Sequence, residues 1–227
     1  MDNGPTVTVV ISAKNEELDI AEAVRGAKLH CDEVLVMDGH STDRTRDVAQ
    51  AEGARVELDP GRGKGSAIRA SFDLAKGDIV VFMDADGSHD ANDIPKLWKP
   101  VAAGDVDLCV GSRYLGGSEE LSINFGQLIR SIGNISMNIA INKRFTVTLS
   151  DTLNGFRAIR REVAKKLRLI ENKHTIEQEM VIRALRMGYK VKNVPAHEYA
   201  RKHGTSHIQI WREWPHFLWC MFKNLYL

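Results

Sequence analysis

The residues best suited to chemistry are two carboxylates, Asp84 and Asp86, in the stretch IVVFMDADGSHD (Ile79–Asp90). An apolar run of strand type that ends in acids must deliver them into a cleft, because ionised carboxylates are costly in a core without partners. Oxygen ligands suit a hard divalent cation, and Mg²⁺ commonly arrives with a diphosphate on its other side. Alternate strand residues point to opposite faces, so both acids share one ligand only if the strand has ended by Asp84. Gly87 favours such a break. Asp86 is then the principal metal ligand, and Asp84 turns toward a ribose or reaches the metal through water. Ser88 and His89 are near enough to complete the shell, although His89 reads equally as a packing residue. A second cluster is the loop Pro60-Gly61-Arg62-Gly63-Lys64-Gly65. It is not a Walker loop, since Gly65 follows Lys64, and it is not a dinucleotide fingerprint, since it follows the third strand. What survives is a cationic loop at a helix N-terminus, suited to an anion; a tight turn with a solvated lysine is the other reading. In EQEM, Glu179 either orients a cation or a sugar hydroxyl or is a surface acid.

The elements that must position these groups follow from periodicity. Thr6–Ser12, Glu33–Met37, Arg55–Leu58 and Asp78–Met83 read as strands, rich in β-branched and apolar residues. Helices are predicted between them: from a cap at Asn15 to Lys28, from Ser41 or Asp43 to Glu52, and from Ser66 to Lys76. This alternation predicts an α/β fold with a mostly parallel sheet between helices. Ligands in such sheets sit beyond the carboxyl ends of the strands. The segments Ser12–Glu17, Asp38–Asp43 and Asp84–Asp90 therefore converge on one cleft. Downstream, helices are expected over Asn92–Ala103, Phe125–Ile141 and Glu177–Met187, and strands over Val106–Val110, within Ser150–Arg160, and over Tyr189–Pro195.

Composition narrows the class. With 227 residues, 43% hydrophobic and 27% charged, the chain can bury a core as one domain plus an appendage. A formal charge of +1 provides no global field for nucleic acid. Three scattered cysteines without a CxxC pattern favour a reduced, cytoplasmic compartment. The start does not read as a signal peptide, and no run reaches the roughly 18–20 apolar residues of a membrane span. The tail, Ile208–Leu227, carries Trp211, Trp214 and Trp219 at helical spacing with Phe217 and Phe222. It is either a helix lying in a membrane interface or one that packs on the domain or a second subunit.

Taken together, SAKNEE, DGHSTDRT, the GKG loop, DADGSH, GSRY, SDTLNGFR, EQEM and VP…RKHGTS occur in an order that resembles the family 2 glycosyltransferases of GT-A fold. The chain is most similar there to dolichyl- or polyprenyl-phosphate mannose synthases and their glucose-transferring relatives, over Val7 to His207. The resemblance implies a GT-A domain over residues 1–207, with a nucleotide-sugar half (about 1–110) and an acceptor half (about 111–207), followed by an amphipathic aromatic segment at 208–227. It implies that Ser12, Lys14, Glu16 and Asp38 line the base and ribose site, with Lys64 assisting at the diphosphate. Asp84 and Ala85 would flank the ribose and diphosphate, and Asp86, with Ser88, would bind Mg²⁺ or Mn²⁺. Arg113, Arg201, Arg130 and Arg157 would meet an acceptor phosphate, with His207 standing where relatives often have lysine. The implied donor is a nucleotide sugar of GDP-mannose or UDP-glucose type. The implied acceptor is a polyprenyl or dolichyl phosphate, reached at the cytoplasmic face of a membrane with a membrane partner subunit or a second copy. A soluble or glycan acceptor is the alternative, and a non-catalytic nucleotide-sugar-binding subunit a further one. Ser12, Lys14 and Gly39 depart from the common Pro, Tyr and Asp of relatives, a difference that bears on the donor base and sugar.

Overall fold

A computed structural model describes residues 4–119, 125–203 and 210–227, without the side chains of 125–130 and 210–213. Four parallel strands come first: β1 (Val7–Ala13), β2 (Glu33–Asp38), β3 (Arg55–Leu58) and β4 (Ile79–Asp84). They alternate with α1 (Ile20–Lys28), α2 (Thr45–Ala51) and α3 (Lys64–Leu74). After α4 (Ile94–Ala102) come β5 (Leu108–Ser112), the short α5 (Arg113–Gly116) and the long α6 (Phe125–Phe145). Then follow β6 (Arg157–Arg160), α7 (Arg161–Lys166), α8 (Ile176–Arg186), β7 (Val191–Pro195) and α9 (Ile210–Tyr226).

The seven strands form one mixed sheet in the order β3-β2-β1-β4-β6-β5-β7, with β6 alone antiparallel to both neighbours. Successive β1 side chains feed opposite layers: Val7, Val9 and Ile11 join α1, α2 and α4, while Val10 joins α3, α7 and α8. A strand buried on both faces needs a near-continuous apolar run, which is what TVTVVIS and IVVFM supply. Register then brings the acids together: Ser12 pairs with Asp84, and Ala13 with Asp38.

The predicted first helix is corrected. Asn15 does not cap it; it stands at φ 55° and helix α1 begins only at Ile20. The backbone of 15–17 is used otherwise. Asn15 N donates to Ser41 Oγ, Glu16 N to Thr45 Oγ1 and Glu17 N to Asp43 Oδ2, while Asn15 Oδ1 accepts from Thr42 N. The hydroxyls and the acid of DGHSTDRT thus lace the second strand tip to the first. Among the described residues no helix is long and apolar enough to cross a membrane. Helix α9 packs against α8 and α6, burying Cys220, Asn224 and Leu225.

Candidate active site

A cleft of about 680 Å³ opens at the carboxyl ends of β1, β2 and β4. Ser12, Lys14 and Glu16 line it from the first tip, Gly39 and His40 from the second, and Asp84, Ala85 and Asp86 from the fourth. The glycine loop contributes Gly61, Gly63 and Lys64, and the second half of the chain contributes His174 and Arg201.

Strand β4 runs through Asp84, and the chain turns only at Gly87, whose φ is 75°. Both acids reach the cleft, but each meets a different cation. Asp84 Oδ1 lies 2.7 Å from Lys64 Nζ, and the same ammonium lies 3.2 Å from Glu177 Oε1. Burial works against ionising Asp84, yet the Lys64 charge beside it, helped by His89, holds its carboxyl below the usual carboxylate range. Burial likewise opposes charge on Lys64, and the carboxylates of Asp84 and Glu177 outweigh it and raise its pKa. Asp86 is fixed from both sides. Its Oδ1 accepts from Ser88 N and Ser88 Oγ at 3.1 and 2.6 Å, and its Oδ2 lies 2.6 Å from the Arg201 guanidinium. Arg201 also faces Glu16 at 3.6 Å. His89 serves in packing: its ring stacks on Phe156, and Asp84 N donates to its Nδ1.

The expected anion loop is corrected at its backbone. Gly65 N donates to Asn172 O at 2.8 Å, and Ser66 N and Ala67 N both turn to Gly63 O. A Cβ on Gly65 would stand 2.5 Å from Glu171 O and 2.7 Å from the Asn172 carbonyl carbon. The glycines therefore let α3 dock on the 171–173 backbone, and the Lys64 ammonium is what the loop presents to an anion.

Other expected residues are brought near the cleft without opening into it. Asp38 is fully buried; its Oδ2 accepts from Ser41 N and closes the turn that carries Gly39 and His40. Glu179, 0% exposed, is corrected from a substrate-orienting to a structural acid. Its oxygens accept from Ile170 N and Glu171 N and pair with Arg183 at 2.9 Å. Glu177, two residues earlier, is the acid of EQEM that reaches Lys64. Both acids sit in the first turn of α8, so no local signal in the sequence singles out Glu177. Arg157 is corrected too. It is buried and donates to the carbonyls of Thr152, Asn154 and Glu177, so it holds the turn before β6 and has no fork left for a phosphate. Burial pushes its guanidinium down to about 10, with Glu177 and Asp151 opposing. Arg113 is tied to Asp151 at 2.7 Å and to Glu198 at 3.4 Å, so it enters an acceptor site only through the segment it anchors. Arg130's side chain and His207 lie outside the described residues.

The donor set fits a hard cation. Asp86 is a single oriented carboxylate at a strand tip, with Asp84 two residues away, and a diphosphate completes such a shell. Among the described residues no group of three or more His, Cys, Asp or Glu gathers as an all-protein metal cage. A cation held by Asp86 would have to share its Oδ2 with the Arg201 guanidinium, or displace it.

Glu16 is the acid of this cleft whose pKa is raised, pushed from 4.5 to about 7. Burial is the main cause; Arg201 opposes it, and the charges of Asp86, Asp19 and Asp84 add to it. A raised carboxyl pKa means the folded chain binds the proton more tightly than the unfolded one. Its contribution to stability is thus present at low pH and lost as pH rises from about 4.5 through about 7. Glu16→Gln is expected to flatten that part of the pH–stability profile, read by thermal melts across the window; an unchanged slope would remove the assignment.

Glycosyl transferase family 2 matches residues 8–168. The uncharacterized protein MJ1222 of Methanocaldococcus jannaschii is 32% identical over 218 residues, covering 91% of this chain and 88% of that protein. The low-salt glycan biosynthesis hexosyltransferase Agl6 of Haloferax volcanii is 30% identical over 222 residues, 95% of this chain and 53% of that one, so the chain spans about half its length. Among solved structures, glucosyl-3-phosphoglycerate synthase from Mycobacterium tuberculosis, in complex with Mn²⁺, UDP and phosphoglyceric acid, superposes with a TM-score of 0.76. It is 24% identical, and the match covers 99% of this chain and 80% of that one.

Proposed function

We propose, from the premise that this chain belongs to glycosyl transferase family 2, that it moves a hexose from a nucleoside-diphosphate sugar to a phosphate-bearing acceptor, with polyprenyl or dolichyl phosphate as the leading acceptor. The observation that carries this reading is the Asp86–Arg201 pair. It sets a metal-type carboxylate and a phosphate-type guanidinium 2.6 Å apart in one cleft. Asp86, oriented by Ser88, is the residue that would hold Mg²⁺ or Mn²⁺, which supplies charge stabilisation for a leaving diphosphate. That reading is in keeping with the Mn²⁺ and UDP named for the mycobacterial synthase. Lys64, kept charged by Asp84 and Glu177, adds a second positive group on the diphosphate side. Ser12, Lys14, Gly39 and His40 form the wall for base and ribose.

On the acceptor side, a phosphate monoester is already ionised near neutral pH and attacks the anomeric carbon without a strong general base. The Arg201 fork suits such an oxyanion. Arg113 positions the segment that bears Arg201: its guanidinium meets Glu198, and Glu198 accepts from Ser118 Oγ. Attack by that oxygen as the diphosphate leaves is a single displacement with inversion. A lipid-phosphate acceptor places the enzyme on the cytoplasmic face of a membrane as a peripheral protein.

One observation favours a second reading. The mycobacterial synthase that shares the fold is complexed with phosphoglyceric acid, a small soluble acceptor that also bears a phosphate. Incubation with radiolabelled GDP-mannose or UDP-glucose, Mn²⁺ and either membranes or phosphoglyceric acid, followed by organic extraction, separates the two. Label in the organic phase is expected. Label confined to the aqueous phosphoglycerate product would replace the lipid acceptor with the soluble one, and no transfer from either donor would overturn both.

A further inference from the structure

Away from the cleft, the C-terminal ends of α8 and α9 and helix α7 enclose a second groove of about 1110 Å³. It begins at Arg183, roughly 9 Å down α8 from Glu177 at 1.5 Å per residue. Its lining is cationic: Lys165, Lys166 and Arg168 from α7 and the turn after it, Arg183 and Arg186 from α8, and Lys223 from α9. For a chain whose formal charge is +1, this is a local concentration of positive charge.

Two of these cations are occupied inside the fold. Arg183 pairs with Glu179, and Lys223 faces Glu171 at 3.7 Å. Arg186 is exposed but donates to Asn224 O, which fastens α9 to α8. Lys165, Lys166 and Arg168 are exposed, and the acids that meet the lysines, Asp73 and Glu162, are themselves 79% and 71% exposed. Such surface pairs are weak and give way to a dense anionic partner.

Beside the groove stands an aromatic ridge. Trp219, Phe222 and Tyr226 are 56%, 49% and 65% exposed, with successive ring centroids 6.1 and 5.5 Å apart. Leu218 and Leu227 extend it. Trp219 and Leu227 also line the groove, so ridge and cations form one continuous surface. Trp214, by contrast, turns toward α6: a Cβ on Gly133 would collide with its ring.

We propose that this α7–α8–α9 surface docks on an anionic phospholipid bilayer, with the aromatic ridge entering the headgroup–acyl boundary and Lys165, Lys166 and Arg168 meeting lipid phosphates. Charge complementarity selects this occupant. Aromatic rings with polar edges favour the membrane interface, and long cationic side chains beside them reach headgroups while their stems lie on apolar surface. A purely polyanionic partner such as nucleic acid would use the cations and leave the ridge bare. The surface shares the membrane with the acceptor reading above, and its test therefore uses vesicles that contain no polyprenyl phosphate.

The test is co-sedimentation of the full chain with phosphatidylcholine vesicles, with and without phosphatidylglycerol. Binding is expected on the anionic vesicles, and it is expected to fall with salt. Lys165→Gln/Lys166→Gln/Arg168→Gln is expected to weaken it about a hundredfold, at about fivefold per cation. Trp219→Ser/Phe222→Ser is expected to abolish it, whereas Lys99→Gln/Lys192→Gln, which removes cations outside the groove, leaves it within twofold. Thermal melts establish that each variant is folded. Absence of binding to the anionic vesicles, equal binding to both vesicle types, or full binding by the triple variant would each overturn the proposal. Turnover of a detergent-solubilised lipid acceptor, measured alongside, reports on the acceptor reading independently.

Discussion

Asp86→Ala is expected to lower transfer at saturating Mn²⁺ by at least about a hundred- to a thousandfold, the range seen when one preorganised electrostatic contact to a transition state is removed. The reason lies in how the carboxylate is fixed. Two donations from Ser88 lock Oδ1, so Oδ2 is aimed before any ligand arrives. The same change costs the fold only part of what breaking a fully buried pair would. Arg201, the partner left behind, is 23% exposed at its side chain and can rehydrate. Asp86 is itself buried, at 8% side-chain exposure, so loss of the pair costs more than the roughly 0–1 kcal/mol of a surface pair but less than the roughly 3–5 kcal/mol of a buried pair whose stranded charge cannot rehydrate. Turnover and melting temperature therefore separate, and Mn²⁺ binding followed by electron paramagnetic resonance supplies a third readout that is expected to weaken with turnover. Unchanged turnover would remove the metal assignment; a large fall in melting temperature would make Asp86 a structural acid.

The fold was legible because parallel strands buried on both faces must be apolar throughout. TVTVVIS and IVVFMD could hardly be anything else, and their register alone puts Ser12 beside Asp84. The three strand tips were legible for the same reason. What escaped was whatever depended on partners distant in sequence. SAKNEE looks like a capped helix start because Asn, Glu and Glu are good first-turn residues. Nothing local reveals that Ser41, Asp43 and Thr45 claim those backbone donors instead. Likewise GRGKG looks like an anion nest until Asn172, more than a hundred residues on, takes the Gly65 amide. Between Glu177 and Glu179 the sequence offers two acids on one helix. Only the placement of Ile170 and Glu171 assigns Glu179 to the backbone and leaves Glu177 for Lys64. The arginines were hardest, because an arginine that binds substrate and one that holds a turn of its own chain have the same composition around them.

Arg113 makes that last point testable. Asp151→Ala is expected to destabilise the protein by about 3–5 kcal/mol, the cost of stranding one member of a buried ion pair. Asp151 is 0% exposed, and it receives Arg113 through Nε at 2.7 Å and through Nη2 at 3.1 Å, with Asn134 and Leu153 N adding to the same carboxylate. Burial opposes its charge, and the Arg113 guanidinium outweighs burial and holds its carboxyl below the usual range. Burial lowers and Asp151 raises the Arg113 pKa, with the raising effect prevailing. Among the described residues, removing the acid leaves that guanidinium with only the longer contact to Glu198. For a chain of this size the melting temperature should fall by roughly 2–4 °C per kcal/mol. If Arg113 were instead a substrate arginine waiting for a phosphate, Asp151→Ala would leave stability nearly unchanged and alter only the acceptor KM. The two outcomes are opposite in sign of evidence, and denaturant titration beside acceptor kinetics distinguishes them. The double variant Asp151→Leu/Arg113→Met completes the cycle: replacing both charges with apolar groups of similar volume should recover part of the stability, because a buried pair is far costlier to break than to replace.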